Sequence, residues 1–342
     1  MEAIGLIFRP LRLTGLCSRW HNYFVTENKA YTFSNPPELD LSVIVVSYNT
    51  RERLMDCINS VLALTKEIEF EIFVVDNNSP DDSASAVAEC FPQALLIRNE
   101  ENLGYSCAAN QALRRSRGRY CILLNSDALL EENSFLKIVR FMDSSPGFYI
   151  LSPKIVDAEG ELCPMRLWRD TPEDALRKIL GIYDPSAEGS RMGDIVAKQT
   201  EVAGGPCLAF RRALFEAIGL MDESHFLYNE EDDLSRRAHE KGLKTCYFPE
   251  TAIRHFLSQS CSQPGIREKV MREAYKSDLH FFEKYYSRTW NIILRFAYRL
   301  AFLLGALRAA CRRIAGIPST GADDSAQVKM RLFFMNALDK HS

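Results

Sequence analysis

Between residues 41 and 130 the apolar residues fall into short continuous runs, separated by stretches whose apolar positions recur at helical spacing. Residues 41–47 (Leu-Ser-Val-Ile-Val-Val-Ser) are β-branched and too few for a helix. Such a run predicts a strand buried on both faces. Leu54, Met55, Ile58, Val61 and Leu62 then line one face of a helix. The pattern continues with strands over 70–75, 94–98 and 120–124, and with helices over 84–90 and 105–115. This alternation predicts an α/β fold with a mostly parallel central sheet flanked by helices.

A helix over 131–142 and a strand over 149–156 prolong the rhythm, which residues 157–200 then lose. That stretch holds Trp168, Tyr183 and several prolines, and a connection of such length is usually a binding surface or a lid. Ala203-Gly204-Gly205-Pro206-Cys207 leads into an apolar tail to 211. Helices over 213–218 and 234–241 end at Gly219 and Gly242, and short strands are expected over 245–248 and 253–256. Residues 1–40 read as an arm and linker, or as a terminus with little order. From Arg288 to Arg313 six arginines and no acid interleave with Trp290, Ile292, Phe296, Leu300 and Leu304. This C-terminal extension is expected to be a basic amphipathic helix, suited either to an anionic membrane surface or to docking on the core.

Composition narrows the classes. The 342 residues are 46% hydrophobic and 25% charged, enough to bury a core. A net charge of −3 speaks against nucleic acid as the partner. The ten cysteines form no CxxC pair and several lie in apolar runs, which points to reduced thiols in a cytoplasmic setting. No stretch has the length of a clean membrane span.

Polar residues gather at the ends of three of the predicted strands: Ser47-Tyr48-Asn49, Asp76-Asn77-Asn78 and Asn125-Ser126-Asp127. In a parallel sheet these ends share one edge and can line one crevice. The third tip is an oxygen-rich site for a hard divalent cation holding a nucleotide diphosphate, or else an ordinary turn. Asp76 suits the imide N–H of uracil or thymine, or caps the next helix. Asn102 and Gly104 stand where backbone approaches a sugar or base. Glu230-Glu231-Asp232-Asp233 is either a solvated helix start or a partly buried cluster with one carboxylate poised as a general base. His255 gains a role only if it reaches Asp127, since imidazole plus carboxylate can complete a metal site.

These pieces together resemble a family 2 glycosyltransferase with the GT-A nucleotide-diphospho-sugar transferase fold, from about residue 41 to about 285. The resemblance rests on Val43–Asn49 with Val74–Ser79, on Asn102-Leu103-Gly104-Tyr105 with Ala109-Asn110, and on Leu123–Asp127 in the place of the family's DxD. It is completed by Gly204–Cys207, Phe226–Leu234, and His255 with Ser258 and Ser260. The branch is the rhamnosyltransferase-like one, which builds bacterial surface polysaccharides.

The resemblance implies a nucleotide-sugar half at 41–130, an acceptor half at 150–260, and a helical extension and tail at 286–342. It implies that Ser47, Tyr48, Asn49, Asp76, Asn78, Asn102, Gly104, Asn125 and Ser126 hold a dTDP- or UDP-sugar. Asp127 and His255 would bind Mg²⁺ or Mn²⁺; Gly204, Gly205 and Trp168 would form the acceptor side. Glu231, in the place of the family's aspartate, would be the base, with Asp233 as a second catalytic carboxylate and Glu230 and Asp232 as rivals for the role. The implied activity is inverting transfer of one sugar, rhamnose on branch resemblance, to a glycan or lipid-linked acceptor, by a cytoplasmic protein peripheral at the inner face of the cell membrane. Asn125 departs from the first aspartate of DxD, and no Gln-x-x-Arg-Trp marks a processive synthase. The alternative is an inactive membrane-peripheral scaffold that binds nucleotide sugar. An oxidoreductase is disfavoured, because Tyr48-Asn49-Thr50 follows the first strand where a GxGxxG turn would be.

Overall fold

Strand β1 (Leu39–Ser47) is the axis of the sheet, paired in parallel with β2 (Phe70–Asp76) on one side and β4 (Gly118–Asn125) on the other. The computed structural model describes residues 30–34, 36–163, 165, 171–180, 182, 197–256 and 264–314. For 264–269, 271, 272, 302 and 305–314 it describes the backbone alone. Further strands are β3 (Leu95–Arg98), β5 (Ala128–Leu130), β6 (Phe148–Val156), β7 (Lys198–Thr200), β8 (Cys207–Arg211) and β9 (Lys244–His255). Their order is β3-β2-β1-β4-β8-β6-β9-β5, with β7 also on β9. Strands β1, β2, β3, β4, β6 and β9 run one way; β5, β7 and β8 oppose them.

The helices are α1 (Arg51–Leu64), α2 (Ser83–Cys90), α3 (Tyr105–Leu113), α4 (Ser134–Ser144), α5 (Pro172–Leu180), α6 (Arg212–Ile218), α7 (Glu230–Glu240), α8 (Pro264–Tyr285) and α9 (Arg288–Ile314). Strand alternation divides the core in two. Val43, Val45, Ile122 and Leu124 pack with Leu54, Ile58, Phe135 and Ile138 on one face. Ile44, Leu123, Phe73 and Val75 pack with Ala108, Ala112, Leu214 and Phe215 on the other. Burial on both faces is why these strands read as unbroken apolar runs.

The expected elements are present with shifted ends. Residues 128–130 form β5 instead of leading into a helix, and α4 starts at Ser134. The two short strands expected after 244 are one strand, irregular where it pairs with Pro153 and Lys154. Helix α5 and strand β7 lie in the stretch where periodicity failed. Helix α5 docks through Ala175 on Phe281, Phe282 and Leu294 of α8 and α9. Part of the N-terminal arm is docked too: the Tyr31 N–H donates to the Phe215 carbonyl at 3.1 Å, and the Arg212 guanidinium lies over the Phe33 ring. Residues 1–29 and 315–342, Trp168, Tyr183, Ser258 and Ser260 lie outside the described residues.

Candidate active site

The three polar tips do reach one edge. Ser47 is level with Asp76, and Val46 with Asn125, across the parallel ladders. A chain of hydroxyls crosses the crevice: Ser47 Oγ to Thr50 Oγ1 at 3.0 Å, and Thr50 Oγ1 to Ser126 Oγ at 2.9 Å. Asn49 turns the chain with φ 56°, and its N–H donates to Ser79 Oγ at 3.0 Å. Tyr48 is half-buried beside it.

Asp76 is 4% exposed. Its Oδ2 accepts the Ser79 N–H at 3.1 Å, while its Oδ1 is buried without a partner. A buried carboxylate oxygen left unpaired costs free energy until a donor arrives. An imide N–H is such a donor. Oδ2 therefore holds the turn at Ser79 and, contrary to the alternative weighed above, does not cap the next helix, which begins only at Ser83 after Asp82; Oδ1 is left without a protein donor.

Asn77, named in the second polar tip but given no part in the site, organises the neighbouring loop. Its Nδ2 donates to Asn102 Oδ1 (3.0 Å) and the Gly104 carbonyl (3.1 Å), and its Oδ1 accepts from Asn99 Nδ2 (3.0 Å) and Leu103 N–H (3.1 Å). Asn102 thus spends its side-chain oxygen on Asn77 and the Gly104 N–H, shaping the loop, and Asn78 is exposed. Gly104 has φ +85°, and a Cβ there would meet the Phe226 carbonyl oxygen at 2.7 Å. That close approach lets the Tyr105 N–H donate to the same carbonyl at 2.7 Å, joining the 99–104 loop to the segment before α7.

Strand β5 pairs antiparallel with β9, setting Ala128 opposite His255. The Phe256 N–H donates to the Asp127 carbonyl at 3.1 Å, and His255 Nε2 lies 3.0 Å from Asp127 Oδ1. Both side chains are largely buried, yet His255 reaches a cavity of about 340 Å³. Asp127 does not itself line that cavity, but a carboxylate bonded to an imidazole that does is a donor pair of the kind Mg²⁺ or Mn²⁺ takes, so the donor set fits such an ion. Asn125 lines the same cavity, and its backbone N–H donates to the Pro206 carbonyl at 2.8 Å.

The acidic run forms the first turn of α7 and splits by direction. Glu230 and Glu231 line the cavity. Gly204 faces Glu231, where a Cβ would come 3.5 Å from Oε1, and Gly205 adopts φ +109° beside Met165. Burial, and then the Glu231 charge, raises the Glu230 carboxyl well above the usual range, and its Oε2 has no partner. Glu230 is therefore held toward its neutral form, unsuited to accept a proton. Asp233 points elsewhere. It is fully buried and accepts from Arg237 Nε (2.7 Å), Lys284 Nζ (2.6 Å) and Tyr285 OH (2.6 Å). Burial pushes its carboxyl up, but Arg237 and Lys284 outweigh that and hold it below the usual range. A carboxylate engaged on both oxygens outside the cavity has no access to substrate. The expected catalytic role for Asp233 does not fit this geometry. The i, i+2 spacing of Glu231 and Asp233 turns them to different faces of the helix.

The cavity thus carries Asn125, His255, Glu230 and Glu231, with Leu123, Ile155, Met165, Val202 and Leu208 as apolar wall. A polar group facing a carboxylate across such a space can bind a hydroxylated ring and take a proton from it.

Comparison with known proteins follows the same lines. A family model described as "Glycosyl transferase family 2" matches residues 42–219. The chain is 25% identical over 293 residues to the N-acetylglucosaminyl-diphospho-decaprenol L-rhamnosyltransferase of Mycobacterium tuberculosis (strain ATCC 25618 / H37Rv), which covers 80% of this chain and 94% of the relative. It is 26% identical over 208 residues to the low-salt glycan biosynthesis hexosyltransferase Agl10 of Haloferax volcanii, over 60% of this chain and 63% of that one. Among solved structures, GalNAc-T7 with UDP, GalNAc and Mn²⁺ superposes with a TM-score of 0.52 at 17% identity, over 72% of this chain and 50% of that chain. At that identity the likeness concerns the fold alone.

Proposed function

The chain belongs to glycosyl transferase family 2, is rhamnosyltransferase-like and has the GT-A fold, and from that premise we propose that it moves a single sugar from a dTDP- or UDP-sugar to a glycan or lipid-linked acceptor, with inversion, in cell-surface glycan biosynthesis. The observation that carries this reading is the placement of Glu231 and of His255, which is bonded to Asp127, on one cavity. That cavity has room for roughly ten waters, enough for a hexose.

In this reading the unpaired Asp76 Oδ1 accepts the imide N–H of the base. Asp127 and His255 would hold Mg²⁺ or Mn²⁺, which when bound offsets the negative charge of the nucleoside diphosphate. Glu231 takes the proton of the acceptor hydroxyl as its oxygen bonds to the anomeric carbon and the carbon–oxygen bond to the diphosphate breaks. One displacement inverts that carbon. The decaprenol-linked substrate in the name of the mycobacterial relative supports a lipid-linked acceptor, and its rhamnose supports the same sugar here. The apolar wall of Ile155, Met165 and Val202 agrees with a sugar that carries a methyl group.

The catalytic unit in this reading is 41–285, and α9 lies on an anionic membrane at the cytoplasmic face. Ile292, Phe296, Leu300, Leu303 and Leu304 of α9 are exposed, and no described helix is long and apolar enough to cross a membrane. Flotation of full-length and 286–342-truncated protein with phosphatidylglycerol vesicles tests the attachment. The transfer reading is tested with a panel of nucleotide sugars, by metal-dependent thermal shift and then by released nucleoside diphosphate. Asn125, standing where the family has a carboxylate, favours the rival of an inactive scaffold. Metal-dependent binding without turnover of any donor would decide for it.

A further inference from the structure

The segment 222–233 carries the cavity residues Leu227, Tyr228, Glu230 and Glu231. Tyr228 and Asn229, just before the two glutamates, have φ 68° and 65°, a backbone region that L side chains avoid. A segment bent this way needs external support to keep one geometry. One face of α8 supplies it. Ser277 Oγ lies 3.3 Å from His225 Nδ1, and Asp278 Oδ1 accepts from Asn229 Nδ2 at 2.7 Å. About two helical turns beyond Ser277, Lys284 Nζ donates at 2.6 Å to Asp222 Oδ2 and at 2.6 Å to Asp233 Oδ1. A single ammonium therefore joins the first and last residues of the segment, and both carboxylates are buried.

Asp222, His225 and His280 have the side chains of a metal site and lie close enough for one. Lys284, however, already sits on Asp222 Oδ2, so the positive charge in this cluster is the protein's own. With Arg237 on Asp233 the two carboxylates meet two cations, and the charges balance.

We propose that Lys284 is a positioning residue for the transfer reaction: by clasping Asp222 to Asp233 it fixes the segment that presents Glu231 to the cavity. This rests on the reading of Glu231 as the base. Removing Lys284 alone would strand a buried negative charge and endanger folding. The charge-balanced variant Asp222→Asn/Lys284→Met keeps Asp233 with Arg237 and avoids that.

The test uses full-length wild type, the double variant, Lys284→Arg and Glu231→Gln. Turnover is read as nucleoside diphosphate released from dTDP-rhamnose or UDP-N-acetylglucosamine; dTDP and UDP affinities are measured by calorimetry. The double variant is expected to bind nucleotide within threefold of wild type while kcat falls about 10- to 100-fold, and Lys284→Arg restores most of kcat. Amide exchange in 222–233 should quicken at least tenfold in the double variant, with 51–64 unchanged. Wild-type kcat in the double variant, a loss of nucleotide affinity as large as the loss of kcat, or unchanged exchange in 222–233 overturns the clasp. Full turnover in Glu231→Gln would instead remove the base assignment beneath it, a result separate from those three.

Discussion

Asp127 Oδ1 and His255 Nε2, separated by 128 positions in the chain, lie 3.0 Å apart. The short strand β5 makes this possible by carrying the residue after Asp127 onto β9 opposite His255. If the pair holds the metal, Asp127→Ala and His255→Ala each lower transfer at least about 100-fold and abolish metal-dependent tightening of nucleotide-sugar binding. Calorimetry with and without Mn²⁺ checks the second effect. Full, metal-dependent activity in Asp127→Ala would falsify the assignment.

Glu231 and Asp233 should separate cleanly. Glu231→Gln is expected to lower kcat by about 10² to 10⁴ with nucleotide binding intact, and Glu231→Asp to regain part of it. Asp233→Asn breaks buried pairs with Arg237 and Lys284, and should cost about 3–5 kcal/mol of stability. Denaturant titrations alongside kcat distinguish the two. Equal stability of Asp233→Asn and wild type would contradict the buried ion-pair role.

Asp76→Ala removes an acceptor whose Oδ1 has no protein partner. The variant should fold and lose about tenfold or more in UDP affinity. Wild type should prefer UDP to CDP, since cytosine has no imide N–H. Indifference to the base, measured by competition, would take Asp76 out of base recognition.

Gly104→Ala places a Cβ 2.7 Å from the Phe226 carbonyl at a backbone φ of +85°. A loss of about 1–3 kcal/mol is expected from the backbone alone, with more from the collision. Gly242→Ala is the control, since its φ is +73° but nothing lies within 4 Å. If both variants melt alike, the contact with Phe226 is not the constraint.

His225 is fully buried, and burial lowers its imidazole to about 4 despite Asp233 and Asp222 nearby; His280 and Lys284 face it as well. The unfolded chain therefore takes up this proton first, near pH 6.5, and stability falls from about pH 6.5 to about pH 4, by about 3 kcal/mol in all. Asp222 and Asp233 act at lower pH. Burial raises both carboxyls, but hydrogen bonds from His280 and Lys284 to the first, and the charges of Arg237 and Lys284 on the second, leave them below the usual range. Their contribution is lost as the pH falls below about 4. Unfolding free energies at pH 7.5, 5.5 and 4.5 should therefore slope less in His225→Gln than in wild type; parallel slopes would remove His225 as the cause.

Much of the candidate site was legible because its parts are local. A polar tip after a buried strand announces itself, so Asp76 and Asn125–Asp127 could be named without coordinates. The role of Asn77 was missed because its side chain serves a loop 22 to 27 residues away, and no periodicity reports such a partner. Strand β5 was missed because three apolar residues do not distinguish a strand from the lead into a helix.

The chain's own order of residues determined the parallel strands, their level polar ends and the family, since strand burial and turn chemistry depend on near neighbours. Tertiary structure alone decided which carboxylates of 230–233 face the cavity, that His255 meets Asp127, and that Lys284 joins Asp222 to Asp233. Four consecutive acids look alike in sequence. Helical rotation sends Glu231 to the cavity and Asp233 to two cations, and those cations are positioned by packing over long separations that no local pattern encodes.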